Sequence, residues 1–375
     1  MSPMPDYTVL RAATPFRWYV GAGPYVLMTL TETSFGEYNL NPEACIDMFR
    51  RGLPLYRERF PERDIFPDPG LSTPAVSYGH VNGLGSELLF PPDGEVAHTH
   101  IYDTLEAGIA ALRRPVDFAT AGMAPFYLEY KRRLEAAFPG RTAPFSYGLE
   151  GPLTTAYELR GEGFFLDLMD RPVLAAEFLR LVTASIAAFA QFHAAANGTT
   201  AFKPSAGLCD DLASVVPARL YPELVLPFWD LYFRALTDGT RHAHVEDLRV
   251  EQLPFLETIG LSGYDPSISH KLNPRLIRDH CRVPFGWRLG SFHYLTMSSD
   301  DVRDWVFQAV ADGASSVFTH LEGLMVRDET RPKVYAFVEA ARHAQTQMEA
   351  GATRENIGRL VSPAGRQRFW EHWPP

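Results

Sequence analysis

The chain has 375 residues, 46% of them hydrophobic and 21% charged, with 45 acidic side chains against 35 Lys and Arg for a formal net charge of -10. Such a length buries a large core, as one big α/β barrel or two ordinary domains, and such a charge, without a long basic block, excludes a nucleic-acid surface. Cys45, Cys209 and Cys281 have no paired or C-x-x-C spacing, which excludes a disulfide framework and a four-cysteine zinc site and fits a reducing cytoplasm.

No apolar run approaches the roughly 18 residues of a membrane span, and the first twenty residues lack the basic start and apolar stretch of a secretory signal. The first clear helix is Pro42–Phe60, capped by Asn41, with Ile46, Phe49, Leu53 and Tyr56 on one face. Residues 64–78 read as strand and loop broken by prolines, and 142–149 as a short strand ending at Glu150-Gly151-Pro152. A helix follows to about Gly161. A longer one runs from Asp170-Arg171-Pro172 to Ala196, with Phe178, Val182 and Phe189 in its buried stripe.

Strand and helix then alternate: strands at 201–208, 241–245, 261–264, 284–289 and 315–320, helices at 217–236, 250–259, 274–281, 299–312 and 332–349. An unbroken series of this kind implies a parallel sheet with helices outside and predicts a (β/α)8 barrel. The domain reading is an N-terminal extension over 1–60, the barrel over 61–349 and a tail over 350–375.

His242-Ala243-His244 stands out within that series. In a strand, residues i and i+2 point to one side, so the two imidazoles converge and make half a metal site for zinc or iron. A second pair, His98-Thr99-His100, follows the turn chemistry of Pro91-Pro92-Asp93-Gly94-Glu95 and reads as loop. Rim positions at strand ends supply the other candidates. Glu150, Tyr147 and Asp211 are the catalytic candidates. Asp210, Trp287 and Arg288 are candidates for substrate binding, with Arg288 suited to a carboxylate.

Several motifs together resemble the uroporphyrinogen decarboxylase-like family. They are Glu150-Gly151-Pro152 with Ala156 and Leu159-Arg160-Gly161, then Asp210-Asp211-Leu212 with Pro217 and Tyr221, then Arg241-His242-Ala243-His244, and finally Glu322-Gly323 with Thr330 and Pro332. The resemblance implies a TIM-type barrel. In the corrinoid-dependent methyltransferase branch, a histidine and two cysteines hold zinc, which activates a thiol. Here His242 matches the first ligand, while His244 and Glu322 stand at the two cysteine positions. The expected cofactor is therefore one divalent metal, zinc with iron as the alternative, and the expected partner is a corrinoid protein beside a small-molecule substrate. Membrane and nucleic acid are not expected as partners, and an oligomer is compatible with the chain.

The expected function is methyl transfer at a mononuclear metal. The alternatives are a non-haem iron or hydrolytic His/His/Glu centre without corrinoid, and a barrel that only binds a ligand. Porphyrin decarboxylation is disfavoured, because Phe16-Arg17-Trp18-Tyr19-Val20-Gly21 does not match the arginine-rich motif that grips a polycarboxylate.

Overall fold

The computed structural model describes residues 4–91 and 94–371; Pro92 and Asp93, in the predicted turn, lie outside them. Its strands are β1 (Arg17–Ala22), β2 (Leu88–Leu89), β3 (Ala97–His98), β4 (Ser205–Cys209), β5 (Thr240–His244), β6 (Leu261–Asp265), β7 (Gly286–Leu289) and β8 (Ser316–Leu321). Two compact units divide them. One comprises the described residues of Thr33–Phe49 and Leu71–His244. The other comprises those of Met4–Glu32, Arg50–Gly70 and Val245–Pro375.

In the first unit, β4 and β5 pair in parallel, with Gly207 opposite His242 and Cys209 opposite His244. Val76 and Tyr147 form an isolated parallel bridge, so the segments 64–78 and 142–149 read as strand-like meet at single residues. Helix Pro172–Ala196 packs against Leu105–Leu112, Pro152–Arg160, Gly163–Asp170 and Leu226–Leu236. Phe178, Leu179, Val182, Ile186 and Phe189 are fully buried on it, and each contributes about 1.5–3 kcal/mol of burial. Asp170, read as the start of this helix, ends the preceding helix Gly163–Asp170, and Arg171 holds the N-cap position.

By length and composition this helix could cross a membrane, contrary to the reading that no run approaches a span. Its apolar stripe is covered by neighbouring helices, and Glu177 on its outer side pairs with Arg180 at 2.9 Å and Arg113 at 3.4 Å. These are the marks of a core helix.

In the second unit, β1 and β7 flank β8, all parallel. Arg17–Ala22 lies within the stretch 1–60 read as an extension, and it is a full member of this sheet. Residues 354–358 and 363–371, within the expected tail, are helical. Val317, Thr319 and Leu321 are buried on one face of β8, and Phe318 and His320 point to the other. Helix Ser299–Ala311 starts at a capping box made by Ser298 and Asp301 and packs on Arg331–Glu349.

The chain is thus mixed α/β with parallel strands alternating with helices. The described strands fall into three sheets of three, two and three strands, and the (β/α)8 closure expected from the sequence goes beyond what these sheets show.

Candidate functional site

Strand alternation sets the face on which chemistry can sit in the first unit. Leu208 and Ala243 are buried, while Gly207, Cys209, His242 and His244 lie on the opposite, more open face. The expectation that the two imidazoles share a side therefore holds. Partial burial lowers the His242 pKa.

The chain leaves β4 through Asp210 and Asp211, and these neighbours have opposite fates. Asp210 is fully buried. Its carboxylate accepts from Thr154 N at 2.7 Å, Leu153 N at 3.3 Å and Trp229 Nε1 at 2.6 Å. Helix Pro152–Arg160 has no capping side chain of its own, since its N-cap is Gly151. Asp210 supplies that cap from across the fold, as the orphan N–H groups and the dipole of a helix start demand. The Gly151 backbone passes so close that a Cβ there would lie 2.5 Å from Asp210 Cβ. Asp210 is therefore a fixture of the scaffold and not the substrate contact expected of it.

Asp211 remains half-exposed, with Oδ1 3.9 Å from His244 Nε2. Glu150 stands in the same electrostatic neighbourhood. Its pKa is raised to about 7 by burial first, then by the charges of Asp211 and Asp210, against a hydrogen bond with Ser77 and the pull of His244. Glu150, Asp211 and His244 thus share one electrostatic neighbourhood.

Tyr147 does not join them. It is fully buried, its hydroxyl donates to Asn82 Oδ1, and its ring stacks on Tyr127 at 5.2 Å. Burial drives its pKa far above the ordinary phenol range, so the catalytic role expected of it is replaced by a packing one.

The second unit holds a different cluster on the open face of its sheet. Tyr19 on β1 stacks on Phe318 of β8 at 4.8 Å, and Arg288 of β7 lies opposite Phe318 in register. Arg288 Nη2 donates to Glu322 Oε1 at 3.1 Å, and the Ser291 hydroxyl donates to Glu322 Oε2 at 2.5 Å. His320 follows on the same face, packed so closely on Gly21 that a Cβ there would meet its Nδ1 at 2.9 Å. Trp287 is 1% exposed and points to the opposite, buried side. It is a core residue and not the substrate contact expected.

No family model matches the chain, and no curated protein matches it significantly. In structure it is similar to a methyltransferase from Methanosarcina mazei. The TM-score is 0.63 and the sequence identity 16%, over 90% of this chain and 97% of that one. At that identity the likeness is one of fold.

The donor set does not fit the expected metal centre. Glu322, the expected third ligand, has both carboxylate oxygens hydrogen-bonded, to Arg288 and Ser291. Among the described residues no group of three or more His, Cys, Asp and Glu stands together to hold a metal ion. The same bonds give Arg288 a carboxylate of its own chain in place of a substrate's.

One group escaped sequence reasoning. Glu158 is only 3% exposed, on the side of helix Pro152–Arg160 that also buries Thr155, Ala156 and Leu159. A glutamate at i+3 between apolar positions of a core helix was the available signal. His98 begins the second H-x-H pair in β3, opposite Leu88 and not in a loop. His100 Nδ1 bonds the Glu158 carbonyl at 2.9 Å.

Proposed function

We propose that this protein transfers a methyl group to or from a small substrate, with Glu150 moving the substrate's proton. The likeness to a methyltransferase over nearly the full length of both chains supports the reaction class. The observation that carries the residue assignment is the carboxyl of Glu150, brought to about 7 beside Asp211 and His244. A general base works best when its pKa lies near the working pH.

In the methylating direction, the carboxylate of Glu150 takes the proton from an acceptor X–H. The freed electron pair forms the X–CH3 bond as the donor's bond to the methyl group breaks and leaves its pair on the donor. In the reverse direction Glu150 returns the proton to X. Asp211 lies 3.9 Å from His244, and the charge of each shifts where Glu150 titrates. The donor class to try is a methylcorrinoid carried by a partner protein, as the family resemblance implies. No step runs through a bound metal, because the donor set does not assemble one.

The test is an isotope assay. Protein is incubated with carbon-13 methylcobalamin and a panel of small amines, thiols and alcohols, and label in the acceptor is read by mass spectrometry. Label in one acceptor class that falls sharply in Glu150→Gln supports the reading. Absence of label from every acceptor, or full transfer by Glu150→Gln, refutes it.

A further inference from the structure

In the second unit, β7 and β8 begin at Gly286 and Ser316, at the end of the sheet opposite the rim that carries Arg288, His320 and Glu322. The helices that lead into these strands, Pro274–His280 and Ser299–Ala311, finish at that end, and their last carbonyls collect arginines. Arg11 Nη1 donates to Cys281 O at 2.8 Å and to Arg278 O at 3.3 Å. Arg354 Nη1 donates to Val310 O at 2.6 Å and to Ala314 O at 2.8 Å. These two guanidinium groups answer the negative ends of the two helices. The cations crowd one another. Burial first, then the charges of Arg11 and Arg278, lowers the Arg354 pKa to about 10, and Arg11 Nη2 is buried without a hydrogen-bond partner.

Beside this layer lies a surface cavity of about 670 Å³, whose walls include Arg278, Arg359, Arg366, Gln308, Asp312 and Glu355. The volume suits a small molecule. Three separate segments bring the arginines: helix Pro274–His280 carries Arg278, Arg359 follows helix Arg354–Gly358, and Arg366 lies in Pro363–Glu371. Asp312 is 5% exposed and accepts from Gln308 Nε2 at 2.8 Å, and Glu355 accepts from Arg359 Nη2 at 2.8 Å.

The guanidinium groups are less completely engaged. Arg366 gives Nε to Val361 O and Nη2 to Gly358 O, both at 3.2 Å. Arg278 gives Nε to Asp279 at 2.8 Å, and its Nη1 stays 4.0 Å from Asp312. Each of the three forks keeps N–H donors for a ligand. Arg11, Arg278, Arg354, Arg359 and Arg366 thus stand against Asp279, Asp312 and Glu355, a local excess of cations in a chain of net charge -10. Arginines met singly need only water, but three converging on one cavity over a cationic layer call for a multivalent anion. A phosphate chain offers oxygens on every side and can be met from three walls at once, unlike a planar carboxylate.

We propose that this cavity binds a small polyphosphate, with Arg278, Arg359 and Arg366 donating to its phosphate oxygens. Chemistry on parallel sheets sits at the C-terminal ends of the strands, so a ligand at the opposite end is held without reacting. It ties the helices of residues 354–371 to helix Pro274–His280 and stabilises the native chain. The site stands independently of the methyl-transfer reading.

Calorimetric titration in metal-free buffer with inorganic triphosphate, inorganic phosphate and citrate tests it. Triphosphate is expected to bind at least about tenfold tighter than either of the others and to raise the melting temperature. Arg278→Gln and Arg366→Gln should each weaken it about tenfold or more, whereas Glu355→Gln, which releases Arg359, should tighten it. Arg303→Gln, at an arginine paired with Asp300 and Glu339, controls for net charge and should bind as the unaltered protein does. Melting without ligand establishes that each variant is folded. Tighter binding of adenosine triphosphate marks a nucleotide as the source of the phosphate chain, and equal binding marks the chain alone; both support the site. No heat at millimolar triphosphate, citrate or phosphate binding as tightly, equal weakening by Arg303→Gln, or full binding by folded Arg278→Gln and Arg366→Gln overturns it.

Discussion

Two carboxylates expected at strand ends, Glu150 in the first unit and Glu322 in the second, meet opposite electrostatic fates. Glu322 receives a guanidinium and a hydroxyl, from Arg288 and Ser291. Glu150 receives a hydroxyl from Ser77 and faces Asp210, Asp211 and, further in, Glu158. A carboxylate whose oxygens are matched by donors has little left to do. One crowded by acids titrates near neutrality and can exchange a proton. Proximity to a strand end is therefore a weaker guide to chemistry than the balance of charge around the group.

The comparison breaks most visibly in activity. Glu150→Gln should lower methyl transfer by about 10²–10⁴-fold, the usual contribution of a positioned acid–base group, whereas Glu322→Gln should leave the rate within a few-fold. Steady-state rates with the labelled donor check both. A larger loss at Glu322 would reverse the assignment.

Next in size is the cap. Asp210→Ala removes two N–H contacts at the start of helix Pro152–Arg160 and leaves Trp229 Nε1 without its acceptor. It should cost about 2–4 kcal/mol of stability, and Asp210→Asn less. Urea denaturation measures this; a loss within the noise of the transition would return Asp210 to the list of substrate contacts.

The acids of the first cluster should also show in pH dependence. Folding raises the pKa of Glu150 to about 7 and that of Asp210 to about 6. Between the unfolded values and these, the native state holds protons that the unfolded chain has released, so stability falls as pH rises. The part of this slope due to Glu150 is read as the difference between the protein and Glu150→Gln, because His80, His242, His293 and His320, lowered by burial, tilt the total the other way. Midpoints of urea unfolding of both across pH 4 to 8 give that difference, which should fall as pH rises to about 7; a difference that does not fall would contradict the crowding of acids.

The smallest effect belongs to the Arg288–Glu322 pair. Its side chains are 25% and 37% exposed, and a double-mutant cycle should give a coupling of about 1 kcal/mol or less, screened by salt. Strong coupling that survives high salt would mark the second cluster as more than a surface-screened pair.

Much of the scaffold was legible because it rests on local rules. The helix over 42–59 follows its apolar period and Asn41 cap, the helix over 299–311 its serine capping box, and β5 and β8 fall within a residue of expectation. β1 was missed although Arg17–Ala22 carries Trp, Tyr and Val, because a lone six-residue strand far from the series has no neighbour in sequence to reveal its pairing with β8. Glu150 and Asp211 are legible as catalytic candidates and His244 as a metal ligand, and the structure sets Asp211 3.9 Å from His244. Glu322 was assigned by slot, and its partners, 31 and 34 residues away, redirect it.

By itself the sequence determined the alternation of parallel strands and helices and the shared face of His242 and His244, since periodicity is a property of adjacent residues. Only the tertiary structure decided which acids are neutralised, capped or left crowded. Whether a carboxyl is satisfied depends on donors and charges that arrive from other elements. Asp210 and Asp211, adjacent in the chain, show how completely that arrival separates a cap from a reactive group.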